Sequence, residues 1–189
     1  HAVRVLYLDL DGTVRHGKTE LGRFVNAVAD VHVFPDAVER MREAKQDGDR
    51  IVAITNQGGV ALGYMDFQTA CAIMVETQRQ CDGLFDKMMM CVHHPDAPIP
   101  EQAVCWCRKP KIGHIVESVV DLGHEHPDEH YPPHLALFVG DREEDRQCAN
   151  GAGIAFMDAA AWRSPSHGSV IDRLGRLVVA IQPPLRPVL

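Results

Sequence analysis

From Leu135 to Val139 every residue is apolar, and Val3 to Leu8, interrupted only by Arg4, forms a second apolar run that ends in Asp9. Runs of this kind fit parallel strands covered on both faces better than the polar–apolar alternation of a half-exposed sheet. Arg50 to Thr55, Lys87 to Val92, Leu135 to Gly140 and Gly153 to Met157 extend the series of short buried strands. Amphipathic stretches lie between them: Asp36 to Gln46, with Ala37, Val38, Met41 and Ala44 on one stripe and Gly48 as a stop; Asp66 to Gln80; Ile112 to Leu122; and Glu143 to Ala149. Strands alternating with helices predict an α/β fold, a Rossmann-like doubly wound parallel sheet. Ligands gather beyond the carboxyl ends of the strands in such a sheet. Asp9, Thr55 and Asp141 all fall at expected strand ends.

Two stretches depart from the alternation. Residues 14–34 follow the first strand without a helical stripe and are expected to form a flap or hairpin over the site. Gly123 to His134, rich in His, Pro and acidic residues, reads as a solvated connection. A loosely packed tail is expected from about residue 165 to 189, with one further strand around Leu177 to Ala180 before Pro183, Pro184 and Pro187. A chain of 189 residues, 46% apolar, supplies one core, so residues 1–189 are expected to be a single domain. The net charge of −7 gives no overall attraction to nucleic acid or to an anionic membrane. The absence of a long apolar run and of a basic-then-apolar leader predicts a cytoplasmic protein without a membrane partner.

Asp9-Leu10-Asp11-Gly12-Thr13 puts two carboxylates two residues apart where a strand enters a loop. Phosphoryl transfer from a monoester needs an in-line nucleophile, neutralisation of the charged oxygens and a proton for the leaving oxygen. Two carboxylates, a metal and a cation meet those needs. Three further elements follow in order: Ile54-Thr55-Asn56 ends the second strand, Arg108-Lys109-Pro110 opens a helix, and Gly140-Asp141 with Asp145 closes a later strand. Singly, each has a plainer explanation, Asp141 as a helix cap for example.

With these four elements the sequence resembles the haloacid dehalogenase (HAD) superfamily of phosphatases. The resemblance implies that Asp9 attacks phosphorus and that Asp11 protonates the leaving oxygen and then activates water. It further implies that Thr55 and Lys109 hold phosphoryl oxygens and that Mg2+ binds Asp9, the Asp11 backbone and Asp141. Hard oxygen ligands suit magnesium, and Asp145 is expected to orient the metal's waters.

Cys91-x-His93 follows the third strand, and Cys105-x-Cys107 directly precedes Arg108. Three thiolates and one imidazole make a closed tetrahedral set, expected to hold a structural Zn2+ that pins the proline-rich loop of residues 91–107. His94 is the alternative imidazole. Fixing Cys107 would also fix the backbone beside Arg108 and Lys109. Cys71, Cys81 and Cys148 read as small core residues.

The spacing between the motifs leaves no room for a large cap domain. A capless domain with C-x-H and C-x-C-R-K-P, Thr55-Asn56-Gln57-Gly58-Gly59-Val60 and Gly140-Asp141-Arg142-Glu143-Glu144-Asp145 resembles the heptose bisphosphate and histidinol-phosphate phosphatase group. That resemblance implies substrate contacts for Arg108 and Asn56 and a small phosphorylated metabolite as substrate. Leu10 stands where that group usually carries arginine, and the flap, with Gly22-Arg23-Phe24, is similar to polynucleotide kinase-phosphatases. A nucleic-acid 3′-phosphatase is therefore the alternative; a phosphotransferase or mutase and a non-catalytic zinc-stabilised binding module rank below it. Arg15, Lys18, Arg23, Arg108, Lys109, Lys111, Arg142 and Arg146 are expected near the active edge as cations for either substrate. Phe24 and Tyr64 are the obvious aromatics for stacking on bases.

Overall fold

The computed structural model describes residues 1–16 and 25–164. Five strands, β1 (Val5–Leu8), β4 (Arg50–Asn56), β5 (Lys87–Cys91), β6 (Leu137–Gly140) and β7 (Ala155–Asp158), form one parallel sheet in the order β5-β4-β1-β6-β7. Tyr7 lies opposite both Val52 and Phe138 in the register, so β1 is the central strand. The chain adds β4 and β5 on one side of β1 and β6 and β7 on the other. This is the doubly wound sheet expected, with its switch point beside β1.

The continuous apolar runs have a direct cause. Leu6 and Leu8 face a layer made by α1 (Pro35–Gln46), α2 (Phe67–Gln80) and α5 (Ala159–Arg163), with Met41, Met74 and Trp162 in that core. Val5 and Tyr7 face α3 (Gly113–Glu125) and α4 (Glu143–Gly151), together with Ile115, Leu122 and Cys148. Covered on both sides, β1 and β6 are buried at every residue. Truncating Phe138, which is fully buried, to alanine would cost about 3–5 kcal/mol.

The expected flap is anchored by a short antiparallel pair, β2 (Arg15–His16) with β3 (His32–Val33). Residues 17–24 of that segment, with Lys18, Arg23 and Phe24, lie outside the described residues, as does the expected tail with its strand at 177–180. The stretch read as a solvated connection is more ordered than that. Helix α3 runs on to Glu125, Tyr131 is buried, and Val3 N–H donates to the His130 carbonyl at 2.9 Å. Pro132 and Pro133 turn the chain there, so β6 starts at Leu137 rather than at Leu135. Among the described residues no helix is long and apolar enough to cross a membrane.

Candidate active site

Asp9 directly follows β1, and its N–H continues the ladder to the Val139 carbonyl at 3.0 Å. The chain then turns sharply: the N–H groups of Thr13, Val14 and Arg15 all donate to the Leu10 carbonyl. Gly12 at the tip has φ +90°, and a Cβ there would lie 2.2 Å from Asp141 Oδ2. Glycine is thus required twice over, for the left-handed backbone and for the close approach of Asp141. Asp141 follows β6, and helix α4 begins two residues later. The Asp145 carboxylate reaches back from α4 to accept the Arg142 N–H at 3.1 Å, a cap buried from solvent. Gly140 lets it in, since a Cβ on that residue would sit 2.4 Å from Asp145 Oδ2.

Lys109 crosses from the loop before α3 into this cluster. Its buried ammonium donates to Asp9 Oδ1 at 2.6 Å and to the Ile54 carbonyl at 2.8 Å, and lies 2.7 Å from Asp145 Oδ1. Two hydrogen bonds and the ion pair to Asp145 hold the ammonium in place. Burial alone would disfavour the charge, but Asp9 and Asp145 push the Lys109 pKa upward. Burial drives Asp9 the opposite way from a good nucleophile, raising its pKa, while Lys109 lowers it and Asp145 and Asp11 raise it further.

Ligand oxygens of Asp9, Asp141 and Asp145 all lie within 4.8 Å of one another. Three carboxylates around one lysine leave negative charge uncompensated, and Asp141 is exposed. An all-oxygen set with an open side fits a hard divalent ion that keeps waters.

A second cluster lies one strand away. Cys91 ends β5, and its Sγ is 3.6 Å from His93 Nδ1 and 3.8 Å from Cys105 Sγ; Cys107 Sγ is 3.5 Å from His93 Nδ1. A tetrahedral ion with bonds of about 2.3 Å to sulfur and about 2.0 Å to nitrogen sets S···S at about 3.8 Å and S···N at about 3.5 Å. These three separations match that ion, and all four ligand atoms lie within 4.8 Å of one another. His94 stands outside the set, its Nδ1 accepting from the Asp96 N–H at 3.1 Å. Arg108 is tied to the cluster at both ends, by its N–H to Cys105 Sγ at 3.4 Å and by Nη1 to the His93 carbonyl at 3.0 Å.

No family model matches the chain. The D-glycero-β-D-manno-heptose-1,7-bisphosphate 7-phosphatase of Salmonella typhi is 32% identical over 159 residues, which are 81% of this chain and 78% of that protein. The Escherichia coli K12 protein of the same name is 30% identical over 81% of this chain and 76% of its own length. The chain belongs to this HAD phosphatase family. The fold agrees: D,D-heptose 1,7-bisphosphate phosphatase of B. bronchiseptica, solved with magnesium and phosphate, superposes with a TM-score of 0.65 at 24% identity, over 94% of this chain and 99% of that one. A Mesorhizobium loti protein assigned as a HAD-like phosphatase gives 0.71 at 23% identity, over 95% and 86%.

In this HAD phosphatase, Asp9, Asp11, Thr55 and Asn56 line one small pocket with Arg142 and Glu144. Asn56, Arg142 and Glu144 also border an adjoining cavity of about 510 Å³ that reaches Gln57, Tyr64, His94 and Arg108. Asn56 has a second engagement. Its amide oxygen accepts the Lys109 N–H at 3.0 Å and its amide nitrogen donates to the Lys109 carbonyl at 3.1 Å, a two-sided clamp on that backbone.

Two expectations need correction. Arg15, grouped by sequence with the cations available to a substrate, is wholly buried beneath the site and bonded to Asp11. Arg146 stacks over the ring of Phe156 on β7, 4.5 Å from its centroid. Gln57 had no assigned role, yet its amide nitrogen bridges Asp11 Oδ2 at 2.8 Å and Thr55 Oγ1 at 2.9 Å. No signal in the sequence around Gln57 marks that bridge, because Asp11 belongs to another strand end.

Proposed function

We propose that this chain is a magnesium-dependent phosphomonoester hydrolase of a small phosphorylated sugar, with a heptose 1,7-bisphosphate as the first candidate. The carrying observation is the buried Asp9–Lys109–Asp145 group, opened to solvent on the Asp141 side and flanked by Asp11 and Thr55 in the same pocket. Asp9 and Asp141, with the Asp11 backbone, would hold Mg2+, with Asp145 beside them to orient its waters; when bound the ion neutralises phosphoryl oxygens and favours the ionised form of Asp9. An Asp9 carboxylate oxygen attacks phosphorus as the ester P–O bond breaks, and Asp11 gives its proton to the departing oxygen. The Asp11 carboxylate then takes a proton from water, whose oxygen attacks the aspartyl phosphate, releasing phosphate and restoring Asp9. Lys109 exchanges part of its present bonding for the phosphoryl oxygens, with Thr55 beside it.

The adjoining cavity, with Arg108 and Asn56 on its wall, suits the remainder of a small polar substrate. The Cys/His loop is read as a structural zinc site, and reduced thiolates of this kind agree with a cytoplasmic location. We read residues 1–189 as one domain without a large cap. The test is phosphate release with Mg2+ from heptose 1,7-bisphosphate, histidinol phosphate and a 3′-phosphorylated oligonucleotide, with Asp9→Asn as the blank. Heptose bisphosphate is expected to be turned over fastest, and Asp9→Asn to lose about 10⁴-fold or more in kcat. Equal turnover by the variant would sink the aspartyl-phosphate mechanism, and preference for the oligonucleotide would overturn the substrate.

A further inference from the structure

Arg15 is among the largest fully buried side chains of the protein. Its guanidinium grips Asp11 with a fork, Nε to Oδ1 at 2.9 Å and Nη2 to Oδ2 at 3.3 Å, and Nη1 donates to Thr77 Oγ1 at 2.6 Å. The Thr77 hydroxyl in turn donates to the Ile73 carbonyl of α2 at 2.8 Å. The Arg15 backbone is fixed as well: its N–H donates to the Leu10 carbonyl and its carbonyl accepts the Gly12 N–H at 2.9 Å. Asp11 is thus held from behind through both oxygens, while it still lines the pocket with Asp9 and Thr55.

Burying a guanidinium costs several kcal/mol, and a buried ion pair is commonly no more stabilising than apolar residues of equal volume. Its value at this position lies in geometry, because a bidentate fork fixes the plane of a carboxylate as a single contact cannot. We propose that Arg15, seated on Thr77, is a positioning residue that aims the Asp11 carboxyl at the leaving oxygen. This rests on the hydrolase reading above and assigns to the pair a task that stability alone does not require.

The distinguishing measurement is leaving-group dependence. An alkyl phosphate needs a proton on its leaving oxygen, whereas the 2,4-dinitrophenolate anion leaves without one. With the full chain and Mg2+, Arg15→Met should lower kcat/KM for heptose 1,7-bisphosphate or glycerol 2-phosphate by about 10²- to 10³-fold, and for 2,4-dinitrophenyl phosphate by less than about 5-fold. Arg15→Lys, which keeps the charge and loses the fork, should fall between, and Thr77→Val should show the same split at about 3- to 10-fold. Acid-quenched aspartyl phosphate should accumulate in Arg15→Met, since Asp11 also serves the water step. Equal losses on both esters would reduce Arg15 to a structural role and overturn the proposal. Should Arg15→Met fail to fold by circular dichroism, Arg15→Lys and Thr77→Val decide, and absence of the split in both overturns it. Failure of the hydrolase reading shows separately, as Asp9→Asn turning over either ester.

Discussion

The two ends of the parallel sheet carry charge in opposite ways. At the amino edge Asp49, Asp86 and Glu129 meet Arg4, Lys45 and Arg50, acid for base, with Arg50 gripping both Glu129 oxygens at 2.9 and 2.7 Å. At the carboxyl edge Asp9 and Asp145 share the buried cation Lys109, and Asp141 adds a third carboxylate beside them with Arg142 near it, so acids outnumber bases. Balanced pairs at a partly exposed edge hold loops to strands. An acid excess in a buried pocket is costly unless a further cation joins it, and that unmet demand marks the functional end.

Lys109→Met tests the imbalance most severely. Without the ammonium, Asp9 and Asp145 are buried with no partner of opposite charge, and the expected loss is about 3–5 kcal/mol by urea denaturation in EDTA. Added Mg2+ should recover part of that loss, and more than it adds to the parent protein. Turnover should fall about 10³-fold, the scale of removing one preorganised donor to developing charge. An unchanged urea midpoint in EDTA would mean that the acids are already neutral and that the two edges do not differ as described.

The thiol cluster lies at the carboxyl edge but behaves, in its completeness, like the amino edge. Four ligands at tetrahedral separations leave no open position, so its metal would hold chain rather than substrate. Cys107→Ser, or removal of the ion by a strong chelator followed by addition of Mg2+, should cost about 3 kcal/mol, or about 6–12 °C in Tm for a chain of this size. Removal of Mg2+ alone should abolish turnover with a much smaller change in Tm. A protein free of zinc by elemental analysis, with an unaltered Tm in Cys107→Ser, would remove the cluster from the comparison. Asn56→Ala tests the link between the clusters, because the clamp holds the Lys109 backbone that follows Cys107 and Arg108. Loss of both hydrogen bonds is expected to cost about 1–2 kcal/mol and about tenfold in turnover.

The carboxyl edge was legible in the sequence because strand ends are: an unbroken apolar run stops where the sheet stops, and Asp9, Thr55 and Asp141 stand at those stops. The Cys and His spacing was legible for a similar local reason. What escaped is long-range. Nothing near Arg15 announces Thr77, 62 residues away, and Glu129 sits in a His- and Pro-rich stretch whose composition imitates a solvated linker. The double duty of Gln57 was equally hidden, since an amide after a strand end carries no sign of which two oxygens it will bridge.

That misread stretch supplies the smallest effect and the control for the others. Arg50 holds the Glu129 carboxyl well below its ordinary 4.5, down to about 2, chiefly by direct hydrogen bonding. An acid whose pKa is lowered by folding stabilises the protein above its unfolded pKa and loses that contribution as pH falls through the folded value. The Arg50–Glu129 pair should therefore contribute fully at pH 7, begin to fade below about 4.5 and be gone below about 2. Glu129→Gln should cost about 1 kcal/mol at neutral pH, since Arg50 keeps Asp86 and the pair is close to solvent, with turnover unchanged. The gap between variant and parent in urea midpoint should close on acidification through that window. A gap that persisted at pH 2 would show that Glu129 acts through the hydrogen bond it accepts from the Tyr131 hydroxyl rather than through charge, and the amino edge would no longer count as a set of balanced ion pairs.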